Sequence, residues 1–108
     1  MLSIHDADMV AKMVAEEFGV PPPPPIYASA DLNPKYAAAF YYNGKQLIKV
    51  RPQYMTEGTI AHEVGHYIYH VRRPGECKHG ENPECEEVAQ MIEKWWVHKR
   101  KREGTWLG

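Results

Sequence analysis

Residues 59–68, TIAHEVGHYI, place the motif H-E-x-x-H inside a helix-forming sequence. Positions i and i+4 of a helix lie one turn apart on the same face, so His62 and His66 can reach the same metal ion. Glu63 projects from the neighbouring flank, where a carboxylate can act as the general base of a zinc hydrolase. The ordinary alternative is a pair of solvated or hydrogen-bonded histidines on a structural helix.

The apolar residues of this helix separate from the motif on a helical wheel. They cluster on one side and comprise Ile60, Val64, Tyr67, Ile68 and Val71. The two histidines and Glu63 fall on the other side. We therefore expect one face of the helix to pack into the core and the other to line a cleft.

The composition of the chain fits one globular domain. It has 108 residues, 44% of them hydrophobic and 25% charged, and a formal net charge of −1. Such a balance gives no overall field that favours nucleic acid or an anionic membrane. No apolar run approaches the ~20 residues of a membrane span, and the first residues lack the apolar core of a signal peptide. We expect a cytoplasmic protein that binds neither nucleic acid nor membrane.

Two cysteines, Cys77 and Cys85, bracket a turn-rich loop. A disulfide between them would stabilise the fold by about 2.6 kcal/mol on the chain-entropy estimate. In an ordinary cytosol both thiols would stay reduced. Zinc binding by the pair is a weaker option, because the spacing matches no standard zinc finger. We expect a structural pair, bonded or not.

The order of elements along the chain predicts an α+β domain. Helices fit residues 6–18, 56–71 and 83–101, and strands fit residues 26–29, 36–42 and 46–50. Five prolines, residues 21–25, form a polyproline II spacer after the first helix, so residues 1–25 are an N-terminal helix and spacer. Asn43 and Gly44 predict a hairpin between the last two strands. We expect a single domain over residues 1–108: a small three-stranded antiparallel sheet, about three helices and a C-terminal tail over residues 104–108.

A catalytic zinc site needs a third protein ligand beside the two histidines. The last helix offers the acids Glu84, Glu86, Glu87 and Glu93. Glu86 lies at the border of that helix's apolar face and Glu87 points nearly opposite, which favours Glu86. The ordinary role of a first-turn acid is to complement the helix dipole. His79, in the loop, is a rival ligand, and His70 is expected behind the ligands or at the surface.

The spacing of these motifs is similar to that of a known group of peptidases. H-E-x-x-H, nineteen intervening residues and then Glu86-x-x-Ala89-Gln90 resembles the gluzincin, thermolysin-type arrangement. The preceding hairpin and the E-x-x-A-Q context also resemble the ImmA/IrrE-like peptidases, in which Asn is usual where Gln90 stands. By its small size the chain most resembles the minigluzincins, which are minimal single-domain metallopeptidases. The resemblance covers residues 36–96.

This resemblance implies a zinc metallopeptidase with one Zn²⁺ ion on His62, His66 and Glu86 and with Glu63 as the base. It also implies an edge strand that holds a peptide or protein substrate in extended form. Here that strand is residues 36–42, with substrate contacts at Ala38, Ala39, Phe40 and Tyr41. Larger gluzincins stabilise the oxyanion with a His or Tyr from a further domain. The candidates for that role in this chain are Tyr41, Tyr42, Tyr69 and His70.

The C-terminal tail carries a further implication. Minigluzincins are regarded as latent enzymes with a terminal segment in the cleft. The resemblance therefore implies self-inhibition by Thr105, Trp106, Leu107 and Gly108. The ordinary alternative is that Trp106 docks on the core or forms a homodimer contact, since Trp is a favoured interface anchor.

Two other functions fit the same residues. A catalytically idle, zinc-stabilised regulatory or partner-binding domain would keep the ligands of a peptidase scaffold without cleaving peptides. A zinc enzyme of the SprT-like class would use His79 as its third ligand, because His79-Gly80 resembles part of that motif.

Overall fold

Three helices pack against a three-stranded sheet in the computed structural model, which describes residues 1–78 and 81–108. The elements are α1 (Ile4–Glu17), β1 (Ile26–Ala28), β2 (Ala38–Tyr41), β3 (Leu47–Val50), a 3₁₀ turn (Pro52–Tyr54), α2 (Glu57–Arg72) and α3 (Pro83–Glu103). Over these ranges the structure confirms the predicted α+β class. His79, the rival ligand, lies outside the described residues.

The sheet is mixed, so the prediction of an antiparallel sheet is wrong for β1. Strand β3 lies in the centre, with β2 antiparallel on one side and β1 parallel on the other. The chain reverses before β2 and again at the predicted hairpin, where Gly44 has a φ of 74°. Because two reversals restore the original direction, β3 runs parallel to β1. The Arg51 side chain holds the excursion between β1 and β2 by donating to four of its carbonyl oxygens.

The N-terminal part of the chain covers one side of α2. The side-chain hydroxyl of Ser3 caps α1 by accepting a hydrogen bond from the backbone N–H of Asp6. The proline-rich residues 21–25 then lead to β1, and the Tyr67 hydroxyl donates to the carbonyl oxygens of Pro21 and Pro22. The core between α1, α2 and the sheet includes Val10, Val14, Ile48, Val50, Ile60, Val64 and Ile68.

Helices α2 and α3 approach each other most closely where Gly65 faces Ala89. A Cβ atom built on Gly65 would lie 2.8 Å from the Ala89 Cα atom, well inside van der Waals contact. A glycine is therefore required at this position for the observed spacing of the two helices. The close approach brings the histidines of α2 beside the first turn of α3.

The start of α3 is fixed by its cap. The Asn82 side chain accepts a hydrogen bond from the backbone N–H of Glu84, and Pro83 occupies the first helical position. Asn82 also donates to the Glu76 carbonyl oxygen in the preceding loop. The helix ends at Gly104, which adopts a left-handed φ of 72°. These contacts set the position of the first turn of α3, which carries the predicted ligand Glu86.

Candidate metal and catalytic site

The predicted ligands meet between α2 and α3. Nε2 of His62 lies 3.1 Å from one carboxylate oxygen of Glu86, and Nε2 of His66 lies 3.1 Å from the other. The two imidazole centroids are 5.0 Å apart. The structure therefore brings all three side chains together, with both Nε2 atoms facing the carboxylate oxygens.

This arrangement fits a zinc ion. Zinc bonds of about 2.0–2.2 Å to nitrogen and oxygen at tetrahedral angles place two ligand atoms about 3.3 Å apart. The two nitrogen-to-oxygen distances of 3.1 Å are close to that separation. Two imidazoles and one carboxylate are also the donor set of catalytic zinc sites, which leave one position open.

Glu63 lies beside the ligands and is almost completely buried. Its relative exposure is 6%, and one of its carboxylate oxygens lies within 4.8 Å of ring nitrogens of His62 and His66. Burial raises the pKa of Glu63 from 4.5 to about 7; the charge of His62 opposes this shift, whereas Glu86 and Glu93 add to it. A carboxyl group with a pKa near neutrality can both accept and donate a proton at neutral pH.

His66 is held in the form that binds metals. Burial lowers the pKa of His66 from 6.5 to about 4, and the nearby His62 acts in the same direction, while Glu86 opposes it. The ring is therefore neutral at physiological pH, which is the state that a metal ion requires.

Two polar side chains of α3 orient the ligands. Glu93 accepts a hydrogen bond from Nδ1 of His62 at 2.8 Å, on the side of the ring away from Glu86. A carboxylate behind a metal-binding histidine fixes the ring and raises its basicity. Gln90 donates to Glu86 at 3.3 Å. Glu93 was expected from the sequence only as a candidate ligand, although its position two helical turns after Glu86 was a signal for this orienting role.

A disulfide lies behind the second histidine. Cys77 and Cys85 are bonded, which settles the choice that the sequence left open. Nδ1 of His66 lies 3.0 Å from the sulfur of Cys85 and 3.6 Å from that of Cys77. The cysteine pair is thus in contact with the candidate metal site, a relation that the sequence spacing did not reveal.

The site opens into a cleft of about 490 Å³. Of the predicted substrate-binding residues, Ala38, Ala39 and Phe40 line this cleft. Tyr41 is not among the lining residues in the described part of the chain, and Lys49 lies over its ring. Among the described strands, β2 is an edge strand that pairs with β3, and three of its residues line the cleft. This edge offers backbone donors and acceptors to an extended peptide.

The candidates for oxyanion stabilisation occupy different places. Tyr42 lines the cleft. His70 stacks on the Tyr42 ring at 4.5 Å, and burial lowers the pKa of His70. Tyr69 is buried and accepts a hydrogen bond from Asn82. Within the described residues, Tyr42 is thus the one of the four that lines the cleft.

The C-terminal tail lies at the beginning of α2. The backbone N–H of Leu107 donates to the Glu57 carboxylate, and the N–H of Glu57 donates to the Gly108 carbonyl oxygen at 2.6 Å. Glu57 is fully buried and also accepts hydrogen bonds from Trp96 and Arg100. Among the residues that the structure describes, the tail contributes none to the lining of the cleft. The structure does not bring the predicted self-inhibitory residues to the ligands.

The buried Glu57 cluster was not predicted from the sequence. Arg100 belongs to the basic run at the end of α3, and its Nε atom lies 3.0 Å from the Glu57 carboxylate. A basic residue at a helix end is normally solvated, so nothing in the local pattern indicates a partner more than forty positions away.

Among residues 1–78 and 81–108, none of the helices has both the length and the apolar character needed to cross a membrane. Comparisons with protein-family models, with curated proteins and with solved structures find no match for this chain. The case for a function therefore depends on the residues of the site and their geometry.

Proposed function

We propose that this protein is a zinc-dependent metallopeptidase. His62, His66 and Glu86 would hold one zinc ion, and Glu63 would act as the general base. The observation that carries the proposal is the convergence of both Nε2 atoms on the two oxygens of Glu86, 3.1 Å away, next to a buried acid.

The proposed reaction is hydrolysis of a peptide bond by a water molecule. A zinc ion, when bound, supplies Lewis-acid polarisation of the substrate carbonyl and lowers the pKa of a water molecule. Glu63 takes a proton from the attacking water and delivers it to the leaving amine. Its position supports this role, since one of its carboxylate oxygens lies within 4.8 Å of ring nitrogens of both histidines. Glu93 keeps the His62 ring in place through the 2.8 Å hydrogen bond.

The position of the sheet supports a peptide as substrate. The free edge of β2 borders the cleft that also contains the candidate ligands. An extended peptide can pair with this edge and present a carbonyl group to the site. Ala38 and Ala39 of this strand both line the cleft and have small side chains.

Cytoplasmic location and homodimer formation remain predictions from the sequence.

The decisive test is cleavage of a mixed library of quenched peptides by zinc-loaded protein. Glu63→Gln should reduce cleavage at least about 100-fold because general-base catalysis contributes that much or more. The matched control is Glu87→Gln, which changes an exposed glutamate of α3 in the same way and should cleave normally. Equal cleavage by wild type and Glu63→Gln would refute the mechanism.

Metal content gives an independent test of the ligands. Glu86→Ala should lose zinc, whereas Glu63→Gln should retain it. Unchanged zinc content in Glu86→Ala would exclude Glu86 as a ligand and favour His79. Zinc binding without cleavage of any peptide would favour a catalytically idle, metal-stabilised domain.

A further inference from the structure

We infer that reduction of the Cys77–Cys85 disulfide opens a second metal site, formed by the two thiolates and Nδ1 of His66. The site would take a thiophilic ion such as Zn²⁺ or Cu⁺. It shares one residue with the proposed peptidase site but does not depend on peptidase activity.

The three donors already lie together in the oxidised protein. Nδ1 of His66 is 3.0 Å from the sulfur of Cys85 and 3.6 Å from that of Cys77. All three side chains are buried, with relative exposures of 7% for His66, 3% for Cys77 and 0% for Cys85. Metal–sulfur bonds of about 2.3 Å and metal–nitrogen bonds of about 2.0 Å place a sulfur and a nitrogen about 3.5 Å apart in a tetrahedral site, and two sulfurs about 3.8 Å apart. The nitrogen–sulfur distances are therefore already close to those of a metal site, and the two sulfurs must move apart once their bond is broken.

The surroundings favour a largely buried site with soft ligands, of which Cys77 borders the cleft. Tyr69 forms one buried cluster with the two cysteines, and Tyr42 and Val88 pack against this cluster. Two thiolates and an imidazole select zinc or copper(I) over magnesium or calcium. The proposed site differs from a zinc finger in the origin of its third donor. This donor comes from α2 and not from the cysteine loop, so the cysteine spacing alone did not indicate it.

The redox step is a two-electron reduction. A thiol or phosphine reductant breaks the sulfur–sulfur bond, and each sulfur gains one electron and one proton. Two reductant thiols become a disulfide, or a phosphine takes oxygen from water to become a phosphine oxide. Metal binding then displaces the two thiol protons.

Occupation of the second site withdraws His66 from the first. A neutral imidazole that binds metal through Nδ1 carries its proton on Nε2. This proton then faces the Glu86 oxygen 3.1 Å away and can be donated to it. The two sites therefore compete for His66, and the redox state of the cysteines selects between them.

Cobalt(II) titration tests the site directly, because thiolate ligation gives an ultraviolet charge-transfer band that imidazole and carboxylate ligands do not. The protein used is His62→Ala, which lacks one ligand of the peptidase site. Metal-free samples are titrated without oxygen, either oxidised or reduced with a phosphine. The reduced sample should show the band and bind Co²⁺ at least about tenfold more tightly than the oxidised sample. Absence of the band in the reduced sample would overturn the proposal.

Two sets of variants assign the donors. Cys77→Ser/Cys85→Ser in the same background should show no band with or without the phosphine. In the same His62→Ala background, His66→Gln should weaken Co²⁺ binding by the reduced protein about tenfold or more, whereas His98→Gln, at an exposed position of α3, should not. Unchanged affinity in His66→Gln would exclude the imidazole as a donor. Circular dichroism verifies that each variant is folded.

The outcome is independent of the proposed function. Oxidised wild type should bind metal without the thiolate band, and its peptide cleavage is measured separately. Absence of the thiolate band would refute the second metal site but not the peptidase activity. Absence of peptide cleavage would refute the peptidase activity but not the second metal site. Addition of the phosphine to zinc-limited wild type should also lower peptide cleavage, as expected from competition for His66.

Discussion

Replacing Glu63 by glutamine should stabilise the metal-free protein, and the gain should grow with pH. Glu63 is 6% exposed, and burial raises its pKa from 4.5 to about 7. Between these two values the folded chain keeps a proton on Glu63 that the unfolded chain has released. Folding therefore takes up a proton, and stability falls as the pH rises through this window.

The size of the effect follows from the two pKa values. The interval from 4.5 to about 7, at ~1.36 kcal/mol per pH unit, corresponds to about 3 kcal/mol. Glutamine cannot ionise, so Glu63→Gln should exceed wild type by up to about 3 kcal/mol above pH 7. Near pH 4.5 the difference should approach zero, apart from the effect of the amide itself.

The titration of His66 changes the stability in the opposite direction, and it does so in both wild type and Glu63→Gln. Burial lowers its pKa from 6.5 to about 4, so the unfolded chain takes up a proton there as the pH falls through this range. Stability is lost toward acid pH for this reason. Because the variant retains His66, this contribution largely cancels from the difference between the two proteins.

Urea unfolding followed by tryptophan fluorescence, in the presence of a chelator, measures the difference across a pH series. Glu87→Gln serves as the control, since that glutamate is exposed and should show no pH-dependent gain. A gain for Glu63→Gln that is the same at every pH, or a loss of stability above pH 7, would refute the reasoning about burial.

Three further predictions concern the supports of the site. Gly65→Ala should lower the free energy of unfolding by about 1–3 kcal/mol and weaken zinc binding, since its Cβ would lie 2.8 Å from the α3 backbone; unchanged unfolding and zinc competition curves would disprove the close contact. Glu93→Gln should weaken zinc binding about tenfold in a competition assay, whereas Glu87→Gln should bind normally; equal affinities would show that the carboxylate does not orient the ligand. Arg100→Ala leaves the buried Glu57 carboxylate without its cation and should cost about 3 kcal/mol in urea unfolding, and a change below the error of the measurement would contradict this pairing.

The local features of the chain were predictable because short-range geometry sets them. Any helix over residues 59–68 places His62 and His66 one turn apart, whatever packs around it. The caps of α3 follow from Asn82 and Gly104, and the β2–β3 hairpin follows from an Asn-Gly pair, all within a few residues. Even the preference for Glu86 over Glu87 as a ligand required only the positions of the two residues on α3.

Tertiary structure decided which side chains meet across elements. The parallel pairing of β1, the contact of Glu93 with His62 and the burial of Glu57 each join residues more than twenty positions apart. The disulfide pair was visible in the sequence, but its position behind His66 depends on how closely α2 and α3 approach at Gly65. Periodicity reports which face of an element is apolar, not which partner covers it. The packing of α3 on α2 therefore determined the surroundings of a ligand set whose local spacing the sequence had already specified.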